Sequence, residues 1–316
     1  MKGAVVANPN FPYRRIREDK ALSDILSSFS VLYVPYGAVI EGVETEIVAL
    51  PPLSEKSYVG RIEETVENLI SLGIDAVVTI GGDGTASYVA STLIKKGRGD
   101  IVVVGYPAGT ANVGPIVRSG LGRDALTKTK RIDAVEVTSG GKVLGCGFND
   151  VVIGNTFLGT VDGRLASLSA SVMEREGKSV EETPSGDILS PSFAFSVNGK
   201  KIDSDYSSVE GIYISTLWQD RLSGRAVFGG LLSACGFDHP GAVTFTDRVM
   251  ITSDSSSWNY KGLTESKEIV FDESDRLVFS GLSALAHVII DGNPFAITDG
   301  EIEIRIIPDA VTVGGF

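Results

Sequence analysis

Short apolar runs and helical patterns alternate through the first third of the chain. Four short runs of mainly aliphatic residues are typical of buried strands, at residues 4–7, 31–34, 76–80 and 101–105. Apolar positions three or four residues apart predict amphipathic helices, at about residues 17–28, from residue 62 onward and at about residues 86–96. Because helices separate these strands, we expect a parallel sheet covered by helices on both faces.

The pattern changes near Arg131, where short strands begin to follow one another with Gly and Asp turns between them. The predicted strands are residues 131–137, 143–153, 193–197, 211–217, 242–245, 249–252, 268–271, 277–280, 286–290 and 302–307. This pattern of short strands and turns predicts an antiparallel β-domain. The polar and acidic residues 173–187 interrupt it, and we expect an ordinary surface loop there, with a mobile lid as the alternative.

Composition and charge exclude several function classes. The 316 residues include 28 basic and 40 acidic side chains, so the net charge is −12 and no basic footprint for general nucleic-acid or anionic membrane binding is expected. No apolar stretch is long enough for a transmembrane helix. The two cysteines, Cys146 and Cys235, and the two histidines do not cluster, which argues against a disulfide framework or a Cys/His zinc site. Buried free thiols in a reducing cytoplasm fit this usage.

One strand-to-helix junction concentrates the candidate chemistry. The residues Gly81, Gly82, Asp83, Gly84 and Thr85 follow an apolar strand and open a predicted helix. The glycines let backbone N–H groups approach a phosphate, and Thr85 can cap the helix or hold a phosphate oxygen. Asp83 would repel phosphate unless it accepts a substrate proton or faces a metal ion. The alternative is a plain strand-to-helix turn capped by the aspartate.

These five residues match the signature of the NAD kinase and diacylglycerol kinase-like superfamily. Residues 107–112, Pro-Ala-Gly-Thr-Ala-Asn, resemble a Pro-x-Gly-Thr-x-Asn segment of lipid kinases. Residues 148–153, Phe-Asn-Asp-Val-Val-Ile, resemble the Asn-Glu-Val motif of NAD kinases with Asp in place of Glu. The resemblance implies a Rossmann-like α/β nucleotide-binding domain at residues 1–130 and a β-sandwich at residues 131–316. It leaves open whether the last strand, after Pro308, returns to the first domain.

The resemblance also implies an activity and a set of site residues. The implied activity is that of an ATP-dependent phosphotransferase. It is most similar to an NAD kinase, which phosphorylates the 2′-hydroxyl of the adenosine ribose of NAD and requires ATP and Mg²⁺. Asp83 would be the catalytic residue that activates the acceptor hydroxyl. The nucleotide-binding residues would be Gly81, Gly82, Gly84, Thr85, Gly109, Thr110, Asn112, Asn149 and Asp150. Ordinary turns remain the alternative for the last five of these.

Two other functions stay open. A diacylglycerol, sphingosine or small-alcohol kinase would share the same loop, because the segment at residues 214–220 shares only Ser215-Thr216 with a nucleotide-gripping segment of NAD kinases. A non-catalytic nucleotide-binding regulator is the third hypothesis. The acceptor, and ATP against polyphosphate as donor, are not fixed by these residues. We also expect a homodimer or homotetramer that meets through the β-domain, with Trp218, Phe228, Phe237 and Trp258 as interface candidates.

Overall fold

The computed structural model describes residues 1–9, 11–109, 112, 114–161, 164–203, 205–206, 209–216, 239–249 and 262–316. The chain divides into two compact units, the first formed by Met1–Ile132 with Asp309–Phe316 and the second by Asp133–Pro308. In the part of the chain that the structure describes, no helix is long and apolar enough to cross a membrane.

Unit 1 is built on a parallel sheet. Its strands are β1 (Lys2–Ala7), β2 (Val31–Val34), β3 (Glu46–Ala49), β4 (Ala76–Gly81), β5 (Val102–Pro107) and the end of β19 (Ile302–Gly314). They lie in the order β3-β2-β1-β4-β5-β19, and every pairing among them is parallel. The helices are α1 (Arg15–Glu18), α2 (Lys20–Leu26), α3 (Tyr58–Ser71) and α4 (Asp83–Lys95), followed by a 3-10 turn at Arg123–Leu126. The predicted parallel α/β domain is therefore confirmed.

Burial explains which elements of unit 1 the sequence pattern reveals. All six residues of β4 are buried, so it appears as an uninterrupted apolar run. Helix α3 buries Ile62, Val66 and Leu69, which recur at helical spacing. Strand β3 has no predicted counterpart, because it is the edge strand and three of its four residues are exposed.

Unit 2 consists of antiparallel sheets. Its elements are β6 (Thr129–Ser139), β7 (Lys142–Gly147), β8 (Val151–Gly154), β9 (Thr156–Val161), β10 (Arg164–Ser169), α5 (Ala170–Glu176), β11 (Leu189–Val197), β12 (Lys200–Lys201), β13 (Gly211–Thr216), β14 (Gly241–Thr246), β15 (Ser266–Phe271), β16 (Leu277–Leu282), β17 (His287–Ile290), β18 (Asn293–Ala296) and the first part of β19. One sheet has the order β15-β14-β13-β8-β17-β18, another contains β12-β11-β16-β19 with β6 and β7, and β9 pairs with β10. The expected β-rich second domain is confirmed.

The main core of unit 2 lies between its two larger sheets. Alternate residues of each strand point into it, for example Ile212 and Ile214 of β13 with Phe195 and Phe279 of the facing sheet. The intervening Tyr213 belongs to a second cluster on the opposite face of the six-stranded sheet. The hairpin β9–β10 and helix α5 contribute Phe157, Leu168 and Ala170 to that second cluster, so β13 is buried on both faces. The sequence pattern did not predict this covering hairpin.

The polar segment at residues 173–187 is partly helical. Its first residues complete α5, and the backbone of residues 180–182 pairs with β10 through Ser169 N to Val180 O and Glu182 N to Ser167 O. The buried Asn155 side chain donates to Glu182 and Thr183 and accepts from Ser185 N. These contacts hold residues 180–185 against β10 and Asn155.

Several sequence predictions lie partly or wholly outside the described residues. The four aromatic interface candidates, Cys235 and most of the strand predicted at residues 249–252 are among them. Cys146 is described, and it is buried, as predicted.

Candidate active site

The glycine-rich motif lies where β4 ends and α4 begins. Gly81 is the last residue of β4, Gly82 is the N-cap of α4, and Asp83 is the first helical residue. Asp83 and Thr85 are buried, with 9% and 4% of their surface exposed. The carboxyl end of a parallel strand is where ligands bind in sheets of this kind, so the motif has the position that its proposed chemistry requires.

Helix α4 begins without a side-chain cap, unlike α2, α3 and α5. Asp19, Ser57 and Ser169 each accept a hydrogen bond from the first turn of α2, α3 and α5. Gly82 has no side chain to do this for α4. The first turn of a helix carries backbone N–H groups without intrahelical partners and the positive end of the helix dipole. The start of α4 can therefore hold an anionic oxygen of a ligand.

A second loop packs against the motif within unit 1. Ala108 N donates to Gly81 O at 2.9 Å, and a Cβ on Gly109 would lie only 2.4 Å from Gly82 N. Asn112 closes this loop, because its Nδ2 donates to Gly109 O at 2.8 Å. The structure thus brings Gly109 and Asn112 to the motif, while Thr110 lies outside the described residues.

We expect Gly109→Ala to lower the free energy of unfolding by about 2 kcal/mol, since overpacking against fixed backbone typically costs 1–3 kcal/mol. The new methyl group would meet Gly82 N and Gly82 Cα, which cannot move without shifting the start of α4. Urea denaturation measures the change. Gly186→Ala is the matched control, because a Cβ there meets nothing within 4 Å and the backbone needs no positive φ. Equal stability of the two variants would contradict the close packing.

Tyr58 is a residue of this region that the sequence did not indicate. It begins α3, and its hydroxyl lies 2.8 Å from Thr85 Oγ1. Its ring makes an edge-to-face contact with Tyr88 of α4, with the ring centroids 6.0 Å apart. Burial raises the pKa of the Tyr58 phenol, although the hydrogen bond with Thr85 partly opposes this. The only sequence signal was an aromatic residue directly after the N-cap Ser57.

In unit 2, Asn149 and Asp150 lie in the short gap between β7 and β8 and are buried. The carboxylate of Asp291 holds this gap. Its Oδ2 accepts from Phe148 N at 2.8 Å, and its Oδ1 accepts from Asn149 N at 2.8 Å and Asp150 N at 3.0 Å. Asp291 is itself 8% exposed. A single buried carboxylate thus fixes the backbone of three consecutive residues.

This arrangement corrects one sequence prediction. The single strand expected over residues 143–153 is two strands, because the N–H groups at the break bind Asp291 instead of a neighbouring strand. Asp291 and Gly292 form the turn between β17 and β18, with φ of 46° and 81°. Two positive φ values suit a tight hairpin turn, which is what the Asp-Gly pair suggests. The carboxylate's second role has no local sequence signal.

Two side-chain oxygens beside this gap accept no hydrogen bond from the described residues. They are Asn149 Oδ1 and Thr216 Oγ1, on residues that are 7% and 1% exposed. The neighbouring Ser215 hydroxyl donates to Asn149 O, which ties the end of β13 to the gap. Buried polar atoms of this kind are usually completed by an ordered water or by a ligand.

Comparison with known proteins is consistent with this geometry. Residues 42–140, which include the motif, match the family model of the diacylglycerol kinase catalytic domain. The resemblance to the NAD kinase and diacylglycerol kinase-like superfamily is thereby confirmed. An uncharacterised protein of Archaeoglobus fulgidus is 24% identical over 278 residues, which cover 85% of this chain and 82% of the relative.

Two solved structures of the superfamily share the fold. A diacylglycerol kinase from Bacillus anthracis str. Sterne aligns with a TM-score of 0.55 at 10% identity, covering 100% of this chain and 97% of that chain. Yeast NADH kinase complexed with NADH aligns with a TM-score of 0.52 at 12% identity, covering 99% of this chain and 82% of that chain. At these identities the likeness concerns the fold, and the substrate has to be argued from the residues.

Proposed function

We propose that the protein is an ATP-dependent kinase that phosphorylates the 2′-hydroxyl of the adenosine ribose of NAD, giving NADP. The observation that carries the proposal is the start of α4, where a helix without a side-chain cap follows a central parallel strand and has the buried Asp83 in its first turn. This arrangement combines an anion site with a carboxylate next to it.

Each residue of the motif then has a role in phosphoryl transfer. The N–H groups of Gly82, Gly84 and their neighbours bind phosphate oxygens, and Thr85 adds a hydroxyl. Asp83 accepts the proton of the acceptor hydroxyl as the γ-phosphoryl group moves to that oxygen and ADP leaves. Gly109, Thr110 and Asn112 form a second wall of the nucleotide site in unit 1.

Mg²⁺ fits this donor set as a companion of the triphosphate. Among the described residues there is no group of three side chains that could hold a metal ion. Mg²⁺ usually binds through one or two carboxylates plus substrate phosphates, and Asp83 is the carboxylate of the motif. When bound, the ion would neutralise charge on the triphosphate.

Two oxygens of unit 2 that have no hydrogen-bond partner among the described residues favour a nucleotide as acceptor. Asn149 Oδ1 and Thr216 Oγ1 can each accept a hydrogen bond from an amino or hydroxyl group, which adenine and ribose supply and acyl chains do not. Asp150 adds a carboxylate at the same gap, which suits ribose hydroxyls. Basic and acidic residues balance in unit 1, so the net charge of −12 falls on unit 2, which disfavours an anionic lipid surface there.

A lipid or small-alcohol kinase is the second candidate, since the family match is to a diacylglycerol kinase catalytic domain. The test is an assay of the purified full chain with ATP, Mg²⁺ and, separately, NAD, NADH, diacylglycerol or small polyols. We expect NADP or NADPH, detected by a dehydrogenase specific for the phosphorylated cofactor. Phosphorylation of diacylglycerol or a polyol alone would support the second candidate. ATP binding without transfer to any acceptor would support a regulator.

A further inference from the structure

We propose that Tyr58 is a positioning residue for the nucleotide phosphate, acting through Thr85; the inference rests on the proposed function. Its hydroxyl donates to Thr85 Oγ1 and so leaves the Thr85 proton directed at an anionic oxygen of the bound nucleotide. The two oxygens are 2.8 Å apart, and by position alone either could be the donor.

The chemistry of the two hydroxyl groups sets the direction of the bond. A phenol is more acidic than an aliphatic alcohol, so it is the better donor of the pair. Burial raises the pKa of the Tyr58 phenol, so the group keeps the proton that it donates. Thr85 Oγ1 lies close to Gly81, since a Cβ built on that glycine would be only 2.9 Å from it. Its remaining proton is therefore available beside the glycine loop.

Tyr58 is held firmly in this position. Ser57 caps α3, and the Glu64 carboxylate accepts from Ser54 N, Ser54 Oγ and Glu55 N at 2.9–3.0 Å, which fixes the approach to the helix. These backbone hydrogen bonds also lower the pKa of Glu64, so the carboxylate keeps this role down to mildly acidic pH.

Further contacts hold α3 against α4. Two ion pairs, Lys95–Glu63 at 2.6 Å and Lys96–Glu67 at 2.5 Å, join the helices beyond the Tyr58–Tyr88 ring contact. The ring contact itself does not involve the Tyr58 hydroxyl. Removal of the hydroxyl should therefore leave the ring, and with it the helix pair, in place.

The experiment is a double-mutant cycle on ATP affinity in the presence of Mg²⁺, measured by titration calorimetry on the full chain. We expect Tyr58→Phe to weaken ATP binding about fivefold, the affinity equivalent of one neutral hydrogen bond. Thr85→Val should weaken it at least as much, and Tyr58→Phe should have no further effect in the Thr85→Val background. In steady-state kinetics the Tyr58→Phe change should appear in KM for ATP rather than in kcat.

Tyr88→Phe is the matched control, because it removes a hydroxyl from the other ring of the same pair and should leave ATP affinity unchanged. The proposal is overturned if Tyr58→Phe binds ATP as tightly as the wild type, or if its effect persists undiminished beside Thr85→Val. A lower melting temperature with unchanged ATP affinity would show a merely structural role and also overturn it. Wild-type protein that binds no ATP would instead refute the proposed function on which the inference rests.

Discussion

Replacing Asp83 by asparagine is expected to lower kcat by at least about 100-fold while the protein stays folded, since removal of a general acid or base costs 10²–10⁴-fold. The amide has nearly the same shape as the carboxylate but cannot accept the proton of the acceptor hydroxyl. Asp83 is the first residue of α4, so its charge also interacts favourably with the helix dipole. That interaction accounts for only about 0.3–1 kcal/mol of stability. Steady-state kinetics with the preferred acceptor and a thermal melt separate the two effects.

Asp100→Asn is the control for this variant. Asp100 comes just before β5, at the amino end of that strand, and forms an exposed ion pair with Arg98 at 2.9 Å. Exposed ion pairs contribute about 0–1 kcal/mol of stability, so Asp100→Asn should leave the fold intact. Since Asp100 lies at the amino end of its strand and the motif follows the carboxyl end of β4, kcat should stay within about twofold of the wild type. A fully active Asp83→Asn enzyme would remove the catalytic assignment, whatever the control shows.

The fold was predictable where local pattern and burial agree. Strand β4 is buried along its whole length and α3 buries one face, so both left clear signals in the sequence. The motif was placed correctly for the same reason, because Gly81 to Thr85 join two such elements directly along the chain. The edge strand β3 is largely exposed, and exposed residues carry no apolar run.

The parts of the site that escaped prediction depend on residues far apart in sequence. Tyr58 contacts Thr85 only because α3 and α4 pack together, and no residue near Tyr58 in the sequence indicates a hydrogen bond with Thr85. The break between β7 and β8 is set by Asp291, which lies about 140 positions further along the chain. Apolar residues before Asn149 and after Asp150 favoured one continuous strand, and no local feature revealed a remote acceptor for the N–H groups at the break.

Asp291→Asn is expected to lower the free energy of unfolding by about 3 kcal/mol, because hydrogen bonds to a charged group contribute about 1.5–3 kcal/mol each and a buried donor left unsatisfied costs about 1–3 kcal/mol. The carboxylate offers both oxygens to three backbone N–H groups. An asparagine offers one oxygen, so its amino group must face at least one of these N–H donors. The same change should displace Asn149 and Asp150, and under the proposed function it should also weaken binding of the acceptor. Urea denaturation followed by circular dichroism measures the loss of stability.

The Asp-Gly turn at Asp299 and Gly300 supplies a matched control for Asp291→Asn. Asp299 precedes Gly300 as Asp291 precedes Gly292, and it too has a positive φ, 58° against 46°. Asparagine adopts this left-handed conformation as readily as aspartate, so the backbone cost of the substitution is the same at both turns. Asp299 is exposed, and Asp299→Asn should change stability by less than about 0.5 kcal/mol. If the two variants were equally stable, the turn alone would explain Asp291, and its carboxylate would not be what holds Asn149 and Asp150 in place.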